Sequence, residues 1–223
     1  MSSSRLPGKV LREFRELPIL MLQIEKLRAS TVGTHIVVAT SDQPSDLPIV
    51  KWCEAAGISC TQGPLSEVAN RIAAVLTRFK PELFVRFCAD RPYYDWRILD
   101  AAVALMEERT VDLVSNAFPP SFPKGQMTEV VRSSAFLAAL PEIRSAYDQE
   151  HVTSFFYAHP ERFRIANISS GDPAWHEVNL ALDTEDDWLV FQKVMAGLER
   201  PHTEYTWIEF AELVRQAKAI EAA

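Results

Sequence analysis

The chain has 223 residues, enough to bury a full core as one domain over 1–223, and its 48% hydrophobic and 24% charged residues are the balance of an ordinary soluble globular protein. A formal net charge of −7 argues against a nucleic-acid polymer as partner, since that needs a broad basic surface. No apolar run reaches the roughly 18–20 residues of a membrane span. The three cysteines, Cys53, Cys60 and Cys88, form no CxxC pair, which argues against a disulfide framework or a structural zinc site and fits a reducing cytoplasm.

In chain order, Ser3-Ser4-Arg5-Leu6-Pro7-Gly8-Lys9 joins two hydroxyls, an arginine, a flexible glycine and a lysine ahead of a helical segment, a composition suited to wrapping a triphosphate. It is not a Walker A motif, because the glycine spacing and the Ser or Thr after the lysine are absent. Arg5, Lys9, Arg12 and Arg15 outnumber Glu13 and Glu16 here. After Pro18, apolar residues at 20, 24 and 27 predict a helix ending before Gly33, and 35–39 reads as a buried strand closed by Thr40-Ser41-Asp42. A helix over 46–56 stops at Gly57, a short strand covers 58–60, and Ser66 caps a helix with Val68, Ile72, Leu76 and Phe79 on one face.

The strand over 83–88 runs into Ala89-Asp90-Arg91-Pro92, followed by a helix over 96–108, a strand over 111–115 and a proline-rich loop over 118–125. Glu129-Val130-Val131, a helix from Ser134, the segment Glu150-His151-Val152-Thr153 and strands over 163–168 and 178–182 come next. Asp183 closes the last strand, and Thr184 caps a helix from Glu185 with Asp187 in a capping-box position. This alternation predicts an α/β fold with a mostly parallel sheet between helices and ligands at the carboxyl ends of the strands, where 40–42, Asp90 and Asp183 fall.

Several residues are suited to chemistry. Lys9 can neutralise a phosphate while Gly8 lets the backbone approach, and Asp90 with Asp183 can hold Mg²⁺. His151 beside Glu150 suits substrate contact or proton transfer, Trp175 suits stacking on a ring, and Arg86, inside an apolar strand, is a core ion pair or a ligand contact. Each also has a plainer role: Pro7-Gly8-Lys9 as an exposed turn, the aspartates as turn or capping residues, His151 as structural, and Trp175 as a loop anchor.

Taken in order, these segments resemble the cytidylyltransferase-like family that includes the spore-coat polysaccharide biosynthesis F-type proteins and, more distantly, the CMP-sialate and CMP-Kdo synthetases. The resemblance rests on Ser3 to Lys9, Val37 to Asp42, Val85-Arg86 to Pro92, Pro123-Lys124-Gly125 with Glu129-Val130, Glu150 to Thr153 and Leu182-Asp183-Thr184 through Asp187, and it spans about 2–195.

The resemblance implies a three-layer α/β sandwich of the nucleotide-diphospho-sugar transferase, glycosyltransferase-A-like type, with a small excursion around 118–160 and a homodimer. It implies transfer of CMP from CTP to a sugar, sugar acids included, with release of pyrophosphate, Mg²⁺ as cofactor, and a place in surface polysaccharide synthesis. By the same resemblance Arg5, Lys9 and Asp90 are catalytic, and Asp90 and Asp183 are metal ligands. The nucleotide falls to Ser3, Ser4, Arg5, Gly8 and Lys9 with Thr40, Asp42, Gly63 and Arg71, and the second substrate to Arg86, Glu129, Glu150 and His151. The family carries a strand just before the Ser-Ser-Arg run, where this sequence has Met1-Ser2. It also carries arginine at the positions of Gln62, Gln149 and Asn179, a loss of charge that suits a less anionic substrate, a relative that binds without turnover, or a glycosyltransferase using a nucleotide-sugar.

Overall fold

A computed structural model describes residues 5–32 and 35–221, so Ser3 and Ser4 lie outside the described residues. Gly8 (φ 70°) introduces one 3-10 turn at Lys9–Leu11, after which the chain forms the hairpin β1 (Glu13–Phe14) and β2 (Leu17–Pro18). The helix expected behind the phosphate-suited run is therefore a single turn, because Arg12 is already extended at the hairpin entrance. α1 (Ile19–Arg28) starts on Pro18 and buries Ile19, Leu20, Leu22, Ile24 and Leu27.

β3 (Val37–Ser41) pairs in parallel with β4 (Ser59–Gly63) across α2 (Leu47–Ala55), from Val37↔Ser59 to Ser41↔Gly63. α3 (Val68–Phe79) then leads to β5 (Leu83–Val85), and α4 (Trp96–Glu108) to β6 (Leu113–Ser115). β7 (Glu129–Arg132) and β8 (Ile165–Asn167) complete a four-stranded sheet in the order β5-β7-β6-β8. β6 and β8 are parallel, whereas β7 runs antiparallel to both β5 and β6, so this sheet is mixed. The cause is the connection. No helix lies between Ser115 and Glu129 to carry the chain back to the opposite edge, and the loop returns at the same rim, tied by Thr128 N donating to Asn116 Oδ1 at 2.8 Å.

Strand alternation sets the layers. Val114 and Val130 face α4, packing with Leu99, Ala102 and Met106, while their neighbours Leu113 and Val131 face the other way, onto Ala69, Ala73 and Leu76 of α3. That second core also takes Phe136 of α5 (Ser133–Ala139) and Phe155 and Phe156 of α7 (Ser154–Ala158), which follows α6 (Ala146–His151). Fully burying one such valine contributes ~1.5–3 kcal/mol. A further core joins Trp188, Phe191 and Val194 of α8 (Glu185–Ala196) to Phe210 and Val214 of α9 (Trp207–Glu221), with Leu6 of the N-terminal run inside it.

Several local expectations change. Thr40 and Ser41 lie inside β3 and not in the loop that closes it, and β5 ends at Val85, so Arg86 falls just beyond the strand. The helix expected from Ser66 is capped at Glu67 with no side-chain hydrogen bond. The segment over 178–182 is not a strand but an extended stretch with one bridge, Lys124↔Asn179; the Asn179 side chain accepts Ala181 N at 3.0 Å and turns the chain before a ladder can form. The capping box at Thr184 and Asp187 is present in full.

Candidate active site

Asp90 and Asp183 converge because Leu182 N donates to Asp90 O at 3.0 Å, which lays the segment leading into α8 beside the loop beyond β5. Into this junction Gly8 turns the N-terminal run. Its left-handed conformation, open to glycine at no steric cost, delivers Lys9, whose Nζ donates to Asp90 Oδ2 at 2.6 Å, Leu182 O at 2.8 Å and Asp183 Oδ1 at 3.1 Å. Burial works against the Lys9 ammonium, but the two carboxylates outweigh it and hold its pKa above the ordinary value. Arg5, largely exposed, lies 3.4 Å from Asp183 Oδ2.

Arg12 reinforces the junction, its Nη1 reaching both Glu185 oxygens at 2.8 Å while its guanidinium lies 4.5 Å over the Trp188 ring. The result is a concentration of cations against two carboxylates where the segment leading into α8 meets the loop beyond β5. The donor set fits Mg²⁺, which takes one or two carboxylates and completes its shell with water and substrate phosphates. Among the described residues no group of three or more His, Cys, Asp or Glu side chains forms a closed metal cage.

A second group lines the ends of β3 and β4. Gly63 is required there, since a Cβ would stand 2.6 Å from Arg71 Cγ. Arg71 Nη1 donates to Pro64 O and Leu65 O, and its Nε is buried without a partner. Burial pulls the Arg71 pKa below its ordinary value, with the charges of Asp46 and Asp42 opposing it and that of Arg86 adding to it. Asp42 is exposed and its backbone N–H donates to Gly63 O at 2.9 Å. Thr40 is spent internally: its Oγ1 donates to Asp46 Oδ2 at 2.8 Å, beside Ser41 N and Oγ on the same oxygen. Burial of Asp46 opposes ionisation, and these hydrogen bonds overcome it, holding its carboxyl far below the usual range.

Glu129 forms the third group. It is 2% exposed at the end of β7, its Oε1 accepts Thr153 Oγ1 at 2.7 Å and Tyr157 OH at 2.6 Å, and its Oε2 is buried with no hydrogen-bond partner among the described residues. Ser115 Oγ lies 2.7 Å from Tyr157 OH and itself accepts Ala117 N at 2.9 Å. Thr153 is aimed by Val152, a buried β-branched residue at φ 58°, ψ −61°, whose flanks close a γ-turn with Thr153 N donating to His151 O at 2.6 Å. Such backbone costs ~1–3 kcal/mol, and a buried acceptor left unpaired a similar ~1–3 kcal/mol, so two unfavourable features meet at one carboxylate.

Glu150 and His151 are exposed at the end of α6, and His151 packs on Tyr147 with ring centroids 4.3 Å apart. Their side chains make no hydrogen bond to the three groups above, and it is the His151 carbonyl that takes part, by fixing Thr153. Trp175 packs edge-on to Trp207 at 5.2 Å with Arg215 over its ring, as a loop anchor does. Sequence reasoning missed Asp46, Tyr157 and the Arg12–Glu185 pair. Only the last had a readable signal, an acid in the first turn of a capped helix.

Comparison with known proteins places the chain in a family. The cytidylyltransferase family profile matches residues 1–212. The spore coat polysaccharide biosynthesis protein SpsF of Bacillus subtilis is 29% identical over 214 residues, covering 90% of this chain and 85% of that protein. A 3-deoxy-manno-octulosonate cytidylyltransferase of Rhizobium etli is 29% identical over 119 residues, 51% of this chain and 45% of its own length. Among solved structures, a cytidylyltransferase from Leptospira borgpetersenii superposes with a TM-score of 0.88 at 22% identity, covering 99% of this chain and 92% of that one. A CMP:2-keto-3-deoxy-manno-octonic acid synthetase solved with CTP gives 0.64 at 14% identity, covering 87% and 94%. These likenesses carry the fold, a nucleotide-diphospho-sugar transferase type of α/β sandwich, and the profile carries the rest: the chain belongs to the cytidylyltransferase family of nucleotidyltransferases.

Proposed function

We propose that the protein transfers the CMP group of CTP to a sugar, releasing pyrophosphate, in the synthesis of a surface polysaccharide. The observation that supports this most is the Lys9–Asp90–Asp183 junction, which gathers cations and carboxylates at the sheet rim of a chain in this family. Arg5 and Lys9 balance the triphosphate, and Gly8 gives its backbone room to approach. The sugar hydroxyl attacks the α-phosphorus and the bond to pyrophosphate breaks, so the protein's contribution is alignment and charge neutralisation. Asp90 and Asp183 would hold Mg²⁺, which supplies charge neutralisation on the phosphates when bound. Arg71, held at the Gly63 turn by Pro64 O and Leu65 O, is suited to the nucleotide or to the departing pyrophosphate.

The test is pyrophosphate release from CTP, UTP or ATP with Mg²⁺ and a panel of sugars. Release confined to CTP and dependent on sugar is the expected result; preference for UTP or ATP, or no release with any pair, overturns the reading.

A further inference from the structure

We propose that Lys9 has two alternating places: its ammonium holds Asp90 and Asp183 together until a divalent cation displaces it, and only then is it free to meet a phosphate. This rests on the reading above for the metal and the triphosphate and adds an order of binding to it.

Three observations carry it. First, the Lys9 ammonium is fully engaged. It has three N–H donors and no acceptor, and Nζ has three partners, Asp90 Oδ2 at 2.6 Å, Leu182 O at 2.8 Å and Asp183 Oδ1 at 3.1 Å. A phosphate oxygen gains a hydrogen bond from Nζ only at the expense of one of these, so Lys9 meets a triphosphate only by leaving the place it occupies.

Second, that place suits a divalent cation. Two carboxylates and a main-chain carbonyl converge on a single nitrogen, and these are the oxygen types that hard divalent cations take. An ion that takes the charge of both carboxylates competes with the ammonium for it, and two cations this close repel each other.

Third, the ammonium can leave without unfolding anything. The backbone around Lys9 is pinned: Leu6 is fully buried, Lys9 N donates to Leu6 O at 3.3 Å, and Arg12 is tied to Glu185 and lies over Trp188. No residue of the turn Lys9–Leu11 is buried, however, and the Lys9 and Asp183 side chains are 14% and 33% exposed, so solvent ions reach the pair. The exchange thus falls to the flexible four-carbon stem of Lys9 on a fixed turn. By linkage, a cation that frees Lys9 raises the affinity for a triphosphate, and a triphosphate that takes Lys9 raises the affinity for the cation by the same factor.

Calorimetric binding of Mg²⁺ alone to the intact protein, without nucleotide or sugar, tests the exclusion. Lys9→Met should bind Mg²⁺ at least ~10-fold more tightly than wild type, equivalent to ~1.4 kcal/mol. Arg5→Met is the control for charge alone. Arg5 lies 3.4 Å from the other Asp183 oxygen and is 66% exposed, so its loss removes the same charge while leaving Lys9 in place, and the gain should be clearly smaller. Equal gains in the two variants, or unchanged, weaker or undetectable Mg²⁺ binding in Lys9→Met, overturn the proposal.

Acylation of Lys9 by an amine-reactive ester, read by peptide mass spectrometry, keeps it testable in the wild-type chain should Lys9→Met fail to fold. Labelling should be slow without metal, severalfold faster with Mg²⁺ and slow again once CTP is added. A rate indifferent to Mg²⁺, or one that CTP does not lower, overturns it. Exchange at Lys9 without pyrophosphate release from any nucleotide and sugar would refute the transfer reading and leave the exchange standing. Release with a Mg²⁺ affinity that Lys9→Met leaves unchanged would do the reverse.

Discussion

Lys9 Nζ lies 2.6 Å from Asp90 Oδ2 across 81 positions of sequence, and this one contact ties the N-terminal turn to the loop beyond β5. Asp90→Asn keeps the shape but removes the charge that, with Asp183, holds the Lys9 pKa up. On the proposed reading, pyrophosphate release should fall by about 10²-fold or more, the scale seen when one preorganised electrostatic group is lost. The thermal melt should move little, since Asp183 and Leu182 O still hold the ammonium. Full activity in Asp90→Asn would remove Asp90 from the chemistry.

Gly63→Ala places a methyl 2.6 Å from Arg71 Cγ and 3.3 Å from its Cδ. Those atoms lie near the helix, so the arginine must leave its bonds to Pro64 O and Leu65 O. A loss of ~1–3 kcal/mol is expected in denaturant unfolding. In an Arg71→Ala background the same substitution should cost clearly less, and that difference in the double-mutant cycle identifies the clash as the cause.

Lys26 is fully buried beneath α9, its Nζ 3.3 Å from Tyr205 O and 4.5 Å from the Phe210 ring centre. Burial lowers its pKa to about 7, with Asp95 and Glu209 opposing and Arg97 adding. Between pH 7 and the ordinary lysine value the unfolded chain binds the extra proton, so this group makes stability rise with pH there, and its full penalty is felt below about pH 7. Lys26→Met should remove that slope and stabilise the fold at pH 6 by on the order of 1–4 kcal/mol. Melting curves of the two proteins from pH 6 to 10 measure it.

Lys80 ends α3 in the left-handed conformation, φ 50° and ψ 44°, with its N–H on Leu76 O. Lys80→Gly removes ~1–2 kcal/mol of steric cost and adds ~0.4–1 kcal/mol of unfolded-chain entropy. A small net gain in melting temperature is expected, and a loss would show that the lysine side chain contributes at this exposed position.

Legibility followed the range of the forces. α4 was readable to the residue because Asp95 caps it, accepting Arg97 N at 3.1 Å, and Ile98, Leu99, Ala102 and Met106 repeat at helical spacing. The β1–β2 hairpin was not, since its turn uses Arg15 and Glu16 at positive φ, where Asn-Gly would have announced it. α9 did carry a signal that went unread: Thr206 and Glu209 hydrogen-bond each other's backbone at its start. The run from Ser3 to Lys9 showed its chemistry by composition, but the partners of Lys9 lie 81 and 174 positions away, and no local pattern brings Asp90 and Asp183 to one ammonium. The Glu129 group was still less visible, because an orphaned oxygen is a property of what surrounds it.

Val152 carries a consequence for how this protein can change. Glycine there would suit the backbone but empty a fully buried space, and a larger side chain would fill the space while worsening the backbone. Every single step away from valine trades one defect for another, and each shifts Thr153 on Glu129. Residues 151–153 thus form a fixed point in the mutational landscape, around which variation must enter through neighbours such as Phe118 and Tyr157.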